Sequence, residues 1–194
     1  MVSKKDITGI ILAGGESSRM GTNKALLQYR GLTFIQQIIN TMRPLVDQVI
    51  IIGRPEEYRE FDIKCIDDIF PDSGPVAGIH TGLESSSTTY NLVLSCDIPL
   101  ITEQILKELI ENIDESNDVV MVESNGQPHP LIAIYHKQCK DLFEELLDRG
   151  EKRLLSALDQ LNVKTISIDE LNALYVTNIN HPSTLKKLKN EALD

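Results

Sequence analysis

Apolar positions along this chain alternate between short continuous runs and stripes at helical spacing. Thr8 to Leu12 is a run that ends in glycines and predicts a buried strand. Phe34, Ile35, Ile38, Ile39 and Met42 recur as one face of a helix, and Gln48 to Ile52 follows as a second strand. A shorter strand is predicted over Lys64 to Ile66, and a helix over Pro75 to Glu84 with proline in its first turn. Asn91 to Leu94 reads as a strand. Ile105, Leu106, Leu109, Ile110 and Ile113 form one helical stripe, and Leu142, Phe143, Leu146 and Leu147 another. Between those helices lie strands near Val119 to Val122 and Leu131 to Tyr135, separated by the turn-prone Ser124-Asn125-Gly126-Gln127. A final strand is predicted over Thr165 to Ile168.

Strands alternating with helices imply a largely parallel sheet covered on both faces. The Asn-Gly turn adds a local antiparallel pair, so the expected fold class is α/β: a Rossmann-like three-layer α/β/α domain with a mostly parallel mixed sheet. No linker, repeat or low-complexity tract divides residues 1–194, which predicts a single domain. A chain this long can bury roughly 70% of its unfolded surface without a disulfide or metal staple. In such sheets ligands bind outside the carboxyl ends of the strands, and three of those ends carry glycines or polar groups.

Composition narrows the function classes. The 19 Lys and Arg against 29 Asp and Glu leave a net charge of −10, a field that repels nucleic-acid backbones. The one dense lysine run, Lys186, Lys187 and Lys189, sits among leucines and reads as a solvated helix face. No uncharged apolar stretch approaches the roughly 18 residues that span a bilayer, and the apolar run after Lys5 is too short for a signal peptide. No membrane association is expected. Cys65, Cys96 and Cys139 are widely spaced and odd in number, which suits reduced thiols and a cytoplasmic location. His80, His129, His136 and His181 form no zinc-binding cluster.

The first strand empties into Leu12-Ala13-Gly14-Gly15-Glu16-Ser17-Ser18-Arg19-Met20-Gly21-Thr22-Asn23-Lys24. Glycines at 14, 15 and 21 permit positive φ and close approach to a ligand. Inward-turned N–H groups can form an anion nest, and Arg19 and Lys24 add positive charge inside an acidic protein. The spacing matches neither GxxxxGK[ST] nor GxGxxG, so any phosphate geometry differs from both. The plain alternative is an ordinary strand-to-helix turn with two surface cations. A second strand end carries Asp67 and Asp68 and leads to Gly74-Pro75-Val76-Ala77-Gly78; a carboxylate there can accept hydrogen bonds from ribose or guanine, or merely cap the loop. The third ends in Ser95-Cys96-Asp97-Ile98-Pro99. A single Asp facing the same crevice suits Mg²⁺, which takes one or two protein carboxylates beside phosphates and waters. Pro99 is expected to end that strand and fix where Asp97 points. A structural cap at Asp97 would need no cation.

LAGG, then RMG, then Lys resembles the opening signature of the molybdenum-cofactor guanylyltransferases, within the larger nucleotidyltransferase superfamily. Sugar-nucleotide pyrophosphorylases usually place Pro before that Lys, where this chain has Asn23, and relatives that use CTP on the same pterin tend to carry LAAG. The resemblance spans about residues 7 to 188 and implies the nucleotide-diphospho-sugar transferase fold. It further implies that Leu12, Ala13, Gly14 and Gly15 line a guanine nucleotide, that Lys24 contacts its phosphates, and that Asp97 in Cys-Asp-x-Pro holds the nucleotide's magnesium. The family's binding Asp ahead of GPLAG best matches Asp68, with Asp67 also compatible. Gln127-Pro128-His129-Pro130-Leu131-Ile132-Ala133 is similar to the family's HPxxA segment. His129 there either binds the second substrate's phosphate or packs between its prolines. Val176-Thr177-Asn178-Ile179-Asn180-His181-Pro182 resembles NxNTP, with His181 where Thr is usual. Asn178 or Asn180 would complete the magnesium shell or touch the pterin; the alternative for Asn180 is to cap a helix begun at Pro182.

The activity so implied is transfer of GMP from GTP to molybdenum-molybdopterin with release of pyrophosphate, using Mg²⁺ as cofactor. Arg19, Lys24 and Asp97 would carry the chemistry. GTP and molybdopterin are then the small-molecule partners, and transient contact with other molybdenum-cofactor biosynthesis proteins and target apo-enzymes is implied. The rival readings are CTP:molybdopterin cytidylyltransfer, sugar-phosphate nucleotidyltransfer, and a non-catalytic carrier of GTP or pterin.

Overall fold

The structure is a computed structural model and describes residues 2–14 and 23–179. Its strands are β1 (Ile7–Leu12), β2 (Gln28–Tyr29), β3 (Leu32–Thr33), β4 (Gln48–Ile52), β5 (Lys64–Ile66), β6 (Tyr90–Ser95), β7 (Val119–Ser124), β8 (Gln127–His136) and β9 (Val163–Ile168). Its helices are α1 (Phe34–Met42), α2 (Gly74–Ser85), α3 (Glu103–Glu111), α4 (Cys139–Asp148) and α5 (Leu154–Leu158).

Seven strands form one sheet in the order β5-β4-β1-β6-β8-β7-β9. Every neighbouring pair is parallel except the two that involve β8. The antiparallel departure therefore falls where the Asn-Gly turn predicts it. Asn125 and Gly126 both have positive φ, 52° and 72°, as a two-residue type I′ hairpin requires.

Period-two alternation along β1 builds both covering layers. Ile7 and Ile11 face one side and pack with Ile35, Ile38, Ile39 and Met42 of α1 and Leu106 and Leu109 of α3. Ile10 and Leu12 face the other and pack with Val76, Ile79 and Leu83 of α2 and Phe143 and Leu146 of α4. Thr33 caps α1 by accepting from the Gln36 amide at 3.3 Å, and the helix then buries its whole predicted stripe. Burial of each large apolar side chain there contributes about 1.5–3 kcal/mol. Close approach of α2 to β1 depends on Gly82, where a Cβ would stand 2.7 Å from Ile10 Cγ2. Among the described residues no helix is long and apolar enough to cross a membrane.

Two elements depart from the expected pattern. A small hairpin, β2 and β3, turns at Arg30 and Gly31, both at positive φ, and α5 follows α4. Ile113 lies beyond the end of α3. Lys186, Lys187 and Lys189 lie outside the described residues.

The pairing that positions the site is the register of the four parallel strands. Leu12 of β1 pairs with Ile52 of β4 and Ser95 of β6, and Ile52 pairs with Ile66 of β5. Four carboxyl ends thus finish side by side, and β1 is the point from which strand order runs both ways.

Candidate active site

A cavity of about 1030 Å³ opens over those four ends. Leu12, Ala13 and Gly14 line it from β1, Ile52, Gly53 and Arg54 from β4, Asp67 and Asp68 from β5, and Ser95 from β6. Asn23, Glu57, Pro71, Asp72, the first two residues of α2, Gly78 and Leu131 complete its wall. The Ala13 amide donates to Ile52 O at 2.8 Å and the Gly53 amide to Ile66 O at 2.9 Å, so the ladder continues past the strands into the cavity rim.

Gly14 does not take the positive φ expected of it. It lines the cavity, and a Cβ there would meet nothing nearer than Ile52 O at 3.9 Å, so neither conformation nor crowding requires glycine at this position. Gly78 is tighter, with a Cβ 3.2 Å from Leu12 Cδ2 and 3.9 Å from Asp68 Oδ2. Gly74, at φ +73° and with a Cβ position 3.3 Å from Lys152 O, is the glycine that both conformation and crowding require. It starts α2, whose N-terminus has no side-chain cap and meets the cavity through Gly74 and Pro75. The first N–H groups of a helix favour negative charge.

Asp67 and Asp68 both line the cavity, so the structure keeps both candidates. Asp68 is also the loop cap of the plain reading: its Oδ1 accepts from the Phe70 amide and from the Thr81 hydroxyl, each at 3.0 Å. Burial raises its pKa, and those two hydrogen bonds oppose the rise.

Lys24 opens a short 3₁₀ turn, Lys24–Leu26, capped by Asn23 Oδ1, which accepts from the Ala25 amide at 3.0 Å. Asp97 lies in the turn after β6. That strand ends at Ser95, not at Pro99; the reversal is made by the Ile98 amide on Ser95 O at 3.4 Å. Asp97 Oδ1 is buried with no hydrogen-bond partner among the described residues. Neither residue lines the cavity. The Cys96 thiol is pushed up to about 12 by burial and by the Asp97 carboxylate, while the Lys24 ammonium pulls it down. Ala25, next to Lys24, and Cys96, next to Asp97, belong to the same buried cluster.

Asn178 is exposed, one residue before the buried Ile179. The Ile179 amide donates to Asp97 O at 2.8 Å, which brings Asn178 beside that turn. His129 is a half-buried residue of β8 opposite Val122, next to the register shift between Met121 and Val122. Burial lowers its pKa, and it does not line the cavity, whereas its neighbour Leu131 does. Gly15, Arg19 and Asn180, together with Gly21 and His181, lie outside the described residues.

Sequence reasoning missed the end of β4. Gly53 and Arg54 follow a buried strand as Gly14 and Asp68 do, and that strand-end pattern was the available signal. A Cβ on Gly53 would stand 3.0 Å from Tyr58 Cε2 and 3.4 Å from Ala13 C. Among the described residues no group of three or more His, Cys, Asp or Glu is arranged to hold a metal ion. A single unpartnered carboxylate oxygen at Asp97 does fit Mg²⁺, which draws most of its ligands from phosphate and water.

The MobA-like NTP transferase domain matches residues 9–162. A probable molybdenum cofactor guanylyltransferase from Flavobacterium johnsoniae is 35% identical over 182 residues, covering 94% of this chain and 96% of that protein. One from Clostridium perfringens (strain 13 / Type A) is 38% identical over 157 residues, covering 80% and 79%. Among solved structures, molybdopterin-guanine dinucleotide biosynthesis protein A from Archaeoglobus fulgidus superposes with a TM-score of 0.79 at 24% identity, covering 95% of this chain and 98% of that one. At that identity the likeness is one of fold.

Proposed function

This chain belongs to the MobA-like NTP transferase family, and from that premise we propose that it transfers GMP from GTP to molybdenum-molybdopterin, the whole reaction in one domain. An oxygen of the pterin's terminal phosphate attacks the α-phosphorus of GTP. The new O–P bond forms as the bond to the bridging oxygen breaks, and pyrophosphate leaves with that electron pair. A phosphate monoester dianion is itself the nucleophile, so no side-chain nucleophile is required. The protein's work is in-line positioning and neutralisation of charge.

Leu12, Ala13 and Gly14 would present backbone to the nucleotide, and Asp68, with Asp67 beside it, would accept from its ribose or base. Lys24, with Arg19 and the N–H groups around Gly15, would bind the phosphates that depart. Asp97 would hold Mg²⁺ through its unpartnered oxygen, and Asn178 or Asn180 would stand beside that position or contact the pterin. Bound magnesium supplies charge neutralisation between phosphate oxygens and an anionic attacker. His129, held in β8 away from the cavity wall, is left a packing role unless the second substrate extends past Leu131.

The observation that supports this reading is a cavity over the carboxyl ends of β5, β4, β1 and β6, with Asp67 and Asp68 in its wall and the unpartnered Asp97 Oδ1 in the turn after β6. A non-catalytic carrier of GTP or pterin would bind its ligand without chemistry at the α-phosphorus, so pyrophosphate release separates the two readings. The test is pyrophosphate release from GTP and molybdopterin, repeated with CTP, UTP and ATP. Release with GTP well above the others is expected. Preference for CTP, or for a sugar phosphate as acceptor, would reassign the substrate, and GTP binding without pyrophosphate would leave only the carrier.

A further inference from the structure

Tyr58 is fully buried, yet its hydroxyl is not spent on the core. It donates to the Ala13 carbonyl at 3.0 Å and accepts from Asn23 Nδ2 at 2.9 Å. Those two residues flank the stretch from Gly14 to Thr22, and both line the cavity. Asn23 Nδ2 also donates to the Glu57 carboxylate at 2.6 Å, and Glu57 in turn accepts from Arg54 at 3.4 Å. The other end of the same amide, Oδ1, caps the turn that Lys24 begins. One phenol thus links the exit of β1, the turn that carries Lys24 and the chain leaving β4.

The ring alone does not explain this. Phenylalanine would fill the place against Gly53 equally well; only the hydroxyl reaches Ala13 and Asn23. Burial pushes that phenol's pKa well above its usual value, so it stays a neutral O–H able to donate and accept at once. Where catalysis is positioning, displacement of a cation by about 1 Å costs on the order of a hundredfold in rate.

We infer that Tyr58, acting with Asn23, is a positioning residue that holds Lys24 in register with the nucleotide-lining end of β1. The inference rests on the guanylyl-transfer reading above. Tyr58 touches no reacting atom; it acts through the Asn23 amide and the Ala13 carbonyl.

The experiment is steady-state pyrophosphate release by wild type, Tyr58→Phe, Lys24→Ala and the double variant, with thermal melting of each. Tyr58→Phe is expected to melt within a few degrees of wild type, keep KM for GTP within about threefold and lose about tenfold or more in kcat. In the Lys24→Ala background the same change should leave kcat where Lys24→Ala alone puts it, because non-additivity marks residues that act as a unit. Losses that multiply, or a Tyr58→Phe enzyme with wild-type kcat, overturn the inference while the functional reading stands. Absence of pyrophosphate release from wild type overturns that reading, and this inference with it. Should Tyr58→Phe fail to fold, Asn23→Ser, which retains a capping oxygen but lacks the amide N–H that reaches Tyr58, carries the same expectations and the same refutation.

Discussion

The amide of Ile179 donates to the carbonyl of Asp97 at 2.8 Å, joining a segment near the chain's end to the turn after β6. Ile179 is itself anchored, packed with Tyr29 and Phe34 in a small cluster of its own. The missed hairpin β2–β3 therefore has a use: its Tyr29 and the first residue of α1 form the floor on which Ile179 rests. Asp97 is held by its backbone carbonyl, while its side-chain oxygen Oδ1 is left buried without a partner among the described residues.

An unpartnered buried carboxylate oxygen costs stability in the absence of a ligand. Asp97→Ala is expected to melt no lower than wild type in metal-free buffer, and up to about 1 kcal/mol more stable. Addition of Mg²⁺ with GTP should raise the wild-type midpoint and leave the variant's unmoved, and transfer should fall at least about a hundredfold. Scanning calorimetry with and without Mg²⁺ reads both; equal stabilisation of the two proteins would remove Asp97 from the metal site.

Lys24→Ala removes a cation but keeps the Asn23 cap on the turn, so the fold should be retained. Transfer is expected to fall at least about a hundredfold, equivalent to about 3 kcal/mol of transition-state stabilisation. Turnover close to wild type would mean that another cation meets the pyrophosphate.

Gly53→Ala tests how closely the cavity wall is packed. Its methyl would press on the Tyr58 ring at 3.0 Å and on the Ala13 backbone at 3.4 Å. Overpacking of this kind costs about 1–3 kcal/mol. The expected result is a lower urea midpoint and weaker GTP binding together, followed by denaturation and nucleotide titration; Gly31→Ala, whose added methyl meets nothing within 4 Å, is the control for backbone strain alone.

Asp68 sets a pH dependence. Burial raises its folded pKa above the ordinary carboxylate value of 3.8. The folded state then binds more protons than the unfolded one just above that value, so this group's contribution to stability falls as pH rises through the window. Asp68→Asn, able to accept the same hydrogen bonds from Phe70 and Thr81, does not titrate. Relative to wild type it should gain stability on going from pH 4 to pH 7, as thermal midpoints across that range would record. A gap that is constant with pH would show the carboxylate to be solvated as usual.

The elements legible in the sequence were those long enough to show a period. The α1 stripe from Phe34 to Met42 is buried as expected, and β1, β4 and β6 end within a residue of their apolar runs. The hairpin of Gln28–Tyr29 and Leu32–Thr33 and the five-residue α5 are too short for any period to emerge. Strand-end glycines and carboxylates pointed to Gly14, Asp67, Asp68 and Asp97, because chemistry of that kind is written in adjacent letters. Tyr58 was invisible: its partner Ala13 is 45 residues away, and nothing around either residue marks the bond.

The sequence by itself determined which runs become strands, which faces are apolar, and which strand ends carry polar groups, since those follow from local burial and side-chain period. Tertiary structure alone decided that β4 and β6 flank β1, so that Gly53 and Arg54 share a cavity with Asp68, that Tyr58 meets Ala13, and that Ile179 meets Asp97. The reason is that strand order depends on how both faces of the sheet are covered at once, a sum over contacts between residues far apart in the chain that no local stretch encodes.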